Sequence, residues 1–294
     1  MFNRLPVPIA EHEATGNIAE IYHDIRRTFR VTGVNLNFRT WAAFERFFAA
    51  MWASASPIAQ TVAFEQAADS VRTHAAALAT TLPRIKAGAE SKLGDSQRFQ
   101  IARALGLYHY VNPKLLVFTV LVRHALEQES RRTPTAPQGA AHLLVGGAAP
   151  RMAPMEMIDE QSADRRLRRV FRDIKKTLNL SSVNSDYRTL GLWPAYLEAG
   201  WTQLKPLVKS EAYKTGSQQI SDEAARAAEA LPVPYGLDRR RLKQLGESHE
   251  RILDVTTRFE RLLPSLILNI ALWSREWVSD DELRASPYPW EVSA

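Results

Sequence analysis

The sequence predicts an all-α protein, and three observations lead to this prediction. Apolar residues recur with helical spacing along most of the 294 residues, helix-favouring residues such as alanine, leucine and arginine are frequent, and no segment alternates convincingly between apolar and polar residues. The spacing predicts helices at 16–29, 39–54, 57–80, 96–107, 112–128, 161–179, 187–203, 206–230, 238–247 and 249–276.

Prolines and glycines mark the ends of these predicted helices. Pro57 and Pro206 suit the first turn of a helix, where the missing N–H costs little. Asn112, directly before Pro113, suits the N-cap of an apolar helix. The segment 131–158 holds four prolines and three glycines, which predicts a linker or a surface loop.

The helical units on either side of this segment, 1–130 and 159–294, resemble each other. Residues 22–57 align with 171–206 without a gap, at an offset of 149. Identical pairs include Asp24/Asp173, Ile25/Ile174, Val34/Val183, Asn35/Asn184, Thr40/Thr189 and Trp52/Trp201. A weaker match at an offset of 151 pairs Pro113-Lys114-Leu115 with Pro264-Ser265-Leu266. We therefore expect two pseudo-repeats packed as a pseudo-dimer, in which equivalent positions can carry different residues.

Composition narrows the function classes. The chain has no cysteine, which excludes disulfides, thiolate metal sites and cysteine nucleophiles and fits a reducing cytoplasm. No apolar run approaches the roughly 20 residues of a membrane span, and no signal peptide is visible, so we expect no membrane partner. The net charge of +6 is dispersed among nearby acids, which favours a solvated surface over nucleic-acid binding.

Motifs for metal and cofactor binding are missing from the sequence. The seven histidines show no ligand spacing such as HExxH, and there is no glycine-rich phosphate or dinucleotide motif and no GxSxG. We therefore expect neither a metal nor a cofactor. We expect the catalytic residues at positions where the two copies differ.

The most informative difference between the copies is one residue at a predicted helix start. Asn37 in the first copy is replaced by Asp186 in the second, an amide by a carboxylate of similar shape, and Leu36 is replaced by Ser185. A first-turn acid that complements the helix dipole is the structural interpretation of Asp186. A buried acid with a catalytic role is the functional one.

Two further candidates come from the first copy. Thr61 and Glu65 are four residues apart, which predicts that they share one face of a helix in a mostly apolar setting. Glu65 is either a surface glutamate or a buried acid with a perturbed pKa. Asn112 is either an ordinary N-cap or an amide aimed into a pocket.

Together these segments resemble the group I 2-haloacid dehalogenases, the DehI family, which act on D- or on both D- and L-2-haloacids. The resemblance spans nearly the whole chain and rests on the duplication together with four segments: Tyr22-His23-Asp24-Ile25-Arg26 with Thr28, Thr61 with Glu65-Gln66-Ala67-Ala68-Asp69, Asn112-Pro113-Lys114, and Ser185-Asp186-Tyr187 with Leu190 and Trp193-Pro194.

The resemblance implies an all-α fold of two pseudo-repeats with a buried site between them. It implies that Asp186 is the catalytic aspartate, that Thr61 and Glu65 matter for activity, and that Asn112 belongs to the site. The aspartate would activate a water molecule that attacks the halogen-bearing carbon directly, giving a 2-hydroxy acid of inverted configuration without a covalent ester.

The residues suit this chemistry. Water displaces halide poorly until a positioned base takes its proton, and Asp186 can be that base. Asn112 and Ser185 are candidate donors to the substrate carboxylate, and we expect Asn37, Leu36 and Gly33 to line the pocket. The family tends to have bulky apolar residues where this chain has Thr32-Gly33, so we expect a pocket that is enlarged or reshaped there.

The sequence therefore predicts a cofactor-independent hydrolase of short 2-haloalkanoic acids, with the haloacid and water as its partners, as a monomer or a homodimer. Two alternatives stay open. One is a hydrolase or lyase that acts on another small carboxylate. The other is a non-catalytic helical protein that binds a small ligand or uses its basic surface for interactions.

Overall fold

The computed structural model describes residues 6–128 and 142–292 of the chain. Within these ranges the protein is all-α, as predicted, and two isolated bridges are its only β-type pairing. The helices of the described part are α1 Gly16–Phe29, α2 Leu36–Trp41, α3 Glu45–Ala59, α4 Val62–Thr80, α5 Ala87–Glu90, α6 Asp95–Glu127, α7 Arg165–Leu178, α8 Ser185–Leu190, α9 Pro194–Leu207, α10 Glu211–Glu229, α11 Arg239–Gln244, α12 His249–Ser274 and α13 Asp280–Arg284.

Helices recur along the chain with a constant shift of 149 residues. The bounds of α1, α2 and α4 become those of α7, α8 and α10, and α3 and α9 begin at equivalent positions. Arg30 and Asn179, which end α1 and α7 in the left-handed conformation at φ 58° and 53°, are also equivalent. The local sequence of each copy therefore specifies the same succession of helices and turns.

Side-chain contacts follow the same shift. The indole N–H of Trp52 donates to Asp24 Oδ2 at 2.8 Å, and that of Trp201 donates to Asp173 Oδ2 at 2.8 Å. Each bond ties the first helix of a copy to its third. Two identical residue pairs of the sequence alignment thus have one structural role in both copies.

The two longest helices, α6 and α12, form the centre of the protein and share its most extensive helix–helix contact. By length and composition α6 is the one helix among the described residues that could cross a membrane. However, 94% of its most apolar stretch is buried inside the protein. This burial is what a central core helix requires, because such a helix is apolar on all sides.

The predicted break before residue 112 is wrong, because α6 continues through Pro113. A proline inside a helix leaves the carbonyl four residues earlier, here that of His109, without its usual donor. The fully buried Arg72 supplies one, donating from Nε to His109 O at 3.1 Å and from a terminal nitrogen to Tyr110 O at 3.3 Å. Asn112 therefore lies inside a helix and is not an N-cap.

The predicted positions of Pro57 and Pro206 are also wrong. Pro57 lies in the last turn of α3 and Pro206 in the last turn of α9, not in the first turns of the helices that follow. Those helices begin later, after the N-caps Thr61 and Ser210. The capping hydroxyls mark the helix starts, and the prolines precede them by four residues.

The described part of the Pro/Gly-rich segment contacts both copies. Residues 131–141 of the predicted linker lie outside the described residues, as do 1–5 and 129–130 of the first predicted unit and 293–294 of the second. The part from 142 to 158 contains no helix. Leu144 N donates to Gln60 O at 2.9 Å, and Thr32 Oγ1 donates to Ala153 O at 2.8 Å.

We expect the substitution Arg72→Met to lower the free energy of unfolding by about 2–4 kcal/mol, because it leaves buried carbonyls without donors. Pro113→Ala restores an N–H that can bond to His109 O, so Arg72→Met should cost less in that background. Urea unfolding of the four variants of this double-mutant cycle measures the coupling. The exposed control Arg240→Met should change stability by less than about 0.5 kcal/mol, and an equal cost of Arg72→Met in both backgrounds would refute the role of Arg72.

Candidate active site

The short helices α2 and α8 occupy equivalent positions in the two copies and differ at their second residue. In α8 this residue is Asp186, with 3% of its surface exposed, and in α2 it is Asn37, also 3% exposed. Asn35 and Asn184 are the N-caps, so both residues lie in a first helical turn, as predicted. The sequence thus places a carboxylate in the interior at one of two equivalent positions.

Asp186 has a partner on the central helix. The side-chain amide of Asn112, in the middle of α6, donates from Nδ2 to Asp186 Oδ1 at 2.7 Å. Both side chains are buried. The bond joins a residue of the first copy to a residue of the second and fixes the orientation of the carboxylate.

The surroundings of Asp186 change its acidity. Burial raises the pKa of the Asp186 carboxyl from 3.8 to about 6, although the hydrogen bond from Asn112 acts in the opposite direction by stabilising the charged form. No cation is hydrogen-bonded or ion-paired to it among the described residues. A buried carboxylate with a pKa near 6 is ionised at neutral pH yet basic enough to accept a proton.

The buried side-chain amide of Asn37 can form hydrogen bonds that the described residues do not supply. Neither Oδ1 nor Nδ2 of its side chain has a hydrogen-bond partner within the described part of the chain, and the same holds for Oδ1 of Asn184. Buried amides are normally bonded, so an orphaned pair of atoms calls for an explanation. A polar ligand or bound water between the copies would provide the missing partners.

The other residues predicted to line the pocket occupy different surroundings. Ser185 is buried beside Asp186, and Leu36 lines a cavity of about 250 Å³ together with Asn184 and others. Gly33 lies against the segment that follows residue 141: a Cβ added to it would be 2.8 Å from Met155 Cβ. The space left by the missing side chain at residue 33 is therefore taken by Met155.

The contacts of Thr61 are those of an N-cap. Its hydroxyl accepts a hydrogen bond from Phe64 N at 3.2 Å and donates to Ile58 O at 2.8 Å. The equivalent Ser210 makes the same pair of bonds at the start of α10. Thr61 therefore precedes the helix on which Glu65 lies. Its hydroxyl both donates and accepts a hydrogen bond at the helix start, as the Ser210 hydroxyl does in the second copy.

Glu65 is fully buried in an ion pair. Its Oε2 lies 2.8 Å from the ammonium of the fully buried Lys114, which also donates to Phe29 O at 2.9 Å and to the Tyr110 hydroxyl at 3.1 Å. Burial opposes ionisation of both groups and lowers the pKa of Lys114, whereas the attraction of Lys114 holds the pKa of Glu65 below its usual value. Glu65 is thus a buried carboxylate, as one of the two interpretations of the sequence required.

The helix α6 separates this ion pair from the Asn112–Asp186 pair. Asn112 and Lys114 are two residues apart, which turns their side chains by about 200° around the helix axis. One side of α6 faces Asp186, and the other faces Glu65 and Phe29. No hydrogen bond joins Glu65 to Asp186, and α6 lies between the two carboxylates.

The sequence pattern alone does not identify two residues of this region as part of the site. Lys114 was visible as the one charge in the apolar run from 111 to 122, and its burial with Glu65 explains that charge. Tyr108 precedes Asn112 by four residues, so it lies on the same face of α6. Its hydroxyl is 2.7 Å from Thr189 Oγ1, three residues after Asp186, a contact that depends on tertiary packing.

Within residues 6–128 and 142–292 no group of three or more His, Asp or Glu side chains is placed to hold a metal ion. The Asp186 carboxylate lies beside the amide of Asn112, Ser185 precedes Asp186 in α8, and Asn37 is buried at the equivalent position of α2. Such a set can hold a small polar molecule and remove a proton from it or from water.

The chain is similar to known proteins over most of its length. Residues 33–187 match the family model described as Halocarboxylic acid dehydrogenase DehI. An (R)-2-haloacid dehalogenase of Pseudomonas putida is 31% identical over 276 residues, 92% of each chain. An (R)-2-haloacid dehalogenase of Rhizobium sp. (strain NHG3) is 30% identical over 254 residues, covering 79% of this chain and 91% of the relative.

Solved structures of related proteins have the same fold over almost the whole chain. A D-2-haloacid dehalogenase in complex with L-LA has a TM-score of 0.84 and 30% identity, covering 93% of this chain and 97% of the other. A mutant D-2-haloacid dehalogenase in complex with D-2-CPA has a TM-score of 0.83 and 29% identity, covering 94% and 97%.

We expect Lys114→Met to lower the free energy of unfolding by about 3–5 kcal/mol, because it leaves the Glu65 carboxylate buried without a cation. The double variant Glu65→Gln/Lys114→Met has no such charge and should recover at least half of that loss. Chemical denaturation of the single and double variants measures both quantities. If the double variant were as unstable as Lys114→Met alone, the uncompensated charge would not be the cause.

Proposed function

The chain belongs to the DehI family and is a configuration-inverting 2-haloacid dehalogenase, and on that premise we propose that Asp186 is its general base. In this proposal Asp186 takes a proton from a water molecule as that water attacks C2 of a short 2-haloalkanoic acid. The observation that carries the proposal is the buried Asp186 carboxylate, with its raised pKa and its hydrogen bond from Asn112.

The reaction balances without a further reactant. One O–H bond of water breaks and its proton goes to Asp186, the water oxygen forms a bond to C2, and the carbon–halogen bond breaks with its electron pair leaving on the halide. Because the attack is opposite the leaving group, the 2-hydroxy acid has inverted configuration. Holding water and carbon about 3 Å apart replaces an unfavourable encounter by an oriented one.

Asn112 gives the two carboxylate oxygens of Asp186 different roles. Its amide donates to Oδ1, and in this proposal Oδ2 accepts from the attacking water. It also stabilises the ionised form, so that burial does not hold the base protonated at neutral pH. Asn112 is thus both an orienting group and a control on the acidity of the base.

The substrate carboxylate needs hydrogen-bond donors in the same interior. Ser185 lies next to Asp186 in α8, and the amide of Asn37 has no other partner among the described residues. We assign these two side chains to the substrate carboxylate, with Leu36 as apolar lining. Buried polar atoms without partners are otherwise unfavourable, and a bound carboxylate would satisfy them.

We further propose that the D-enantiomer, which is (R) for 2-chloropropionate, is the preferred substrate. The two relatives with 31% and 30% identity carry the (R) designation, and the solved structures with similar folds are of D-2-haloacid dehalogenases. A site built from L-amino acids is chiral, so it can distinguish the two enantiomers of the substrate.

We expect purified protein to release halide from D-2-chloropropionate faster than from L-2-chloropropionate, and Asp186→Asn to reduce this release by at least about a thousandfold, as for the loss of a base. An ion-selective assay with each enantiomer measures both. The control Asp222→Asn removes the same charge from an exposed helix and should retain activity. Substantial release by Asp186→Asn would refute the role of Asp186, whereas no release by wild type would refute the substrate class.

The same Asp186→Asn variant should be more stable than wild type at pH 8. An acid with a folded pKa near 6 and an unfolded pKa near 4 makes the folded state bind more protons, so stability falls as pH rises through this window. The free energy of unfolding that wild type loses through this group reaches at most about 3 kcal/mol above pH 6, and it vanishes below pH 4. Urea unfolding at pH 4 and pH 8 tests this difference, and a variant less stable than wild type at pH 8 would contradict it.

The rate should depend on pH with an acid limb near pH 6, because only ionised Asp186 accepts a proton. Removing the hydrogen bond in Asn112→Ala should raise the pKa of Asp186 and move this limb to higher pH. The pH profile of kcat/KM measures the limb, with exposed Asn17→Ala as the control. A limb that stayed in place or moved to lower pH would contradict the role assigned to Asn112.

A further inference from the structure

A groove of about 900 Å³ opens on the surface beside α8. We propose that this groove is the route by which haloacid anions reach Asp186, and that Thr189 limits the size of substrate that passes. The proposal rests on the function assigned to Asp186. We call it the access groove and define it by these lining residues: Phe99, Gln100, Arg103, Arg151, Thr189 and Trp193.

The access groove leads toward the catalytic pair along one face of α6. Ala104, which also lines the groove, is followed at four-residue intervals by Tyr108 and Asn112, so the three side chains succeed each other along that face. On the opposite wall, Thr189 lies one helical turn after Asp186. The route thus passes Tyr108 and Thr189 before it reaches Asn112 and Asp186.

Two hydroxyl groups close the inner end of the groove. Tyr108 OH and Thr189 Oγ1 are 2.7 Å apart, and Thr189 also donates to Glu156 O at 2.5 Å. Tyr108 is 1% and Thr189 2% exposed, so the contact separates solvent from the interior. The position of Tyr108 next to Asp186 is reflected in its pKa, which burial and then the Asp186 charge raise.

The charge of the access groove suits a carboxylate. Arg103 and Arg151 line it, and neither is paired with a carboxylate within 4 Å in the described part of the chain. Arg103 donates to Arg151 O and lies 5.9 Å from the ring centres of Phe99 and Tyr288, which hold its guanidinium in place. Glu156 is the one acid in the lining, so the two arginines leave it net positive.

A second cavity offers an alternative route, and its chemistry fits an anion less well. The cavity of about 250 Å³ beside Leu36 is lined by prolines, aliphatic residues, serines and Phe259, with no charged residue. It includes Thr40, the counterpart of Thr189, whose hydroxyl bonds within its own helix to Leu36 O at 2.7 Å. Thr40 is therefore a matched control for Thr189.

The first experiment compares kcat/KM for D-2-bromopropionate and D-2-bromohexanoate in wild type, Thr189→Ala, Thr189→Ser and Thr40→Ala. Thr189→Ala removes both the methyl and the hydroxyl and should raise the ratio of long to short substrate by about tenfold, in line with the effect of one or two methylene groups. Thr189→Ser keeps the hydroxyl and should raise it less. Thr40→Ala should leave the ratio within about twofold.

The second experiment measures the salt dependence of kcat/KM for D-2-bromopropionate. Arg103→Gln should lower kcat/KM more than kcat at low ionic strength, and the difference from wild type should shrink as salt screens the charge. Arg103→Lys keeps the charge and should retain the wild-type salt dependence. Arg261→Gln removes an equal charge beside a different surface pocket and should match wild type.

The outcomes separate the route from the reaction. An active wild type with an unchanged substrate ratio in Thr189→Ala, or with the change in Thr40→Ala instead, would overturn the route and leave the assigned reaction intact. A wild type without halide release would overturn the reaction and the route with it. The expected ratio change confined to Thr189, together with rescue of the salt dependence by Arg103→Lys, would support the access groove.

Discussion

The hydrogen bond from Asn112 to Asp186 joins the central helix to the short helix α8, and so the first copy of the unit to the second. Two buried contacts brace the central helix on either side of Asn112. Arg72 keeps α6 continuous past Pro113, and Lys114 ties the opposite side of α6 to Glu65. A helix broken at Pro113 would point Asn112 elsewhere and leave Asp186 without its donor.

Equivalent positions of the two similar segments differ around Asp186. In the first copy Phe118 of α6 packs against Phe38 and Phe64, with ring centres 5.3 and 6.4 Å apart. In the second copy the equivalent positions are polar: Asn269 donates to the Tyr187 hydroxyl at 2.8 Å and accepts from that of Tyr213 at 2.8 Å. Equivalent backbones thus support an aromatic cluster in one copy and a hydrogen-bonded network behind Asp186 in the other.

Much of this arrangement follows from local sequence. The bounds of α1, the recurrence of helices and the first-turn position of Asp186 could be predicted, because periodicity, capping residues and the repeat act over short ranges. Comparing the copies also singled out Asp186 without knowledge of its partner. The burial of Asp186 and its raised pKa follow only from the three-dimensional structure.

The wrong predictions at Pro57 and Pro206 have a local cause, whereas the one at Pro113 has its cause in a long-range contact. Pro113 suggested a helix start, since a proline normally interrupts helical hydrogen bonding, but Arg72, 41 residues earlier in the chain, replaces the missing donor. Asn112 and Asp186 are 74 residues apart, so their pairing depends on the packing of α6 against α8. Such contacts have no local signature, although an isolated charge such as Lys114 in an apolar run does signal that a buried partner exists.

A single turnover in oxygen-18-labelled water, with enzyme in excess over D-2-chloropropionate, tests the role of Asp186 most directly. Inversion alone does not decide it, because an ester formed at C2 by Asp186 and then hydrolysed at its acyl carbon would also leave C2 inverted. If Asp186 activates water, the label appears in the 2-hydroxy acid and the peptide containing Asp186 stays unlabelled. Unlabelled product with label in the Asp186 carboxylate would show that Asp186 is the nucleophile and would contradict its role as a base.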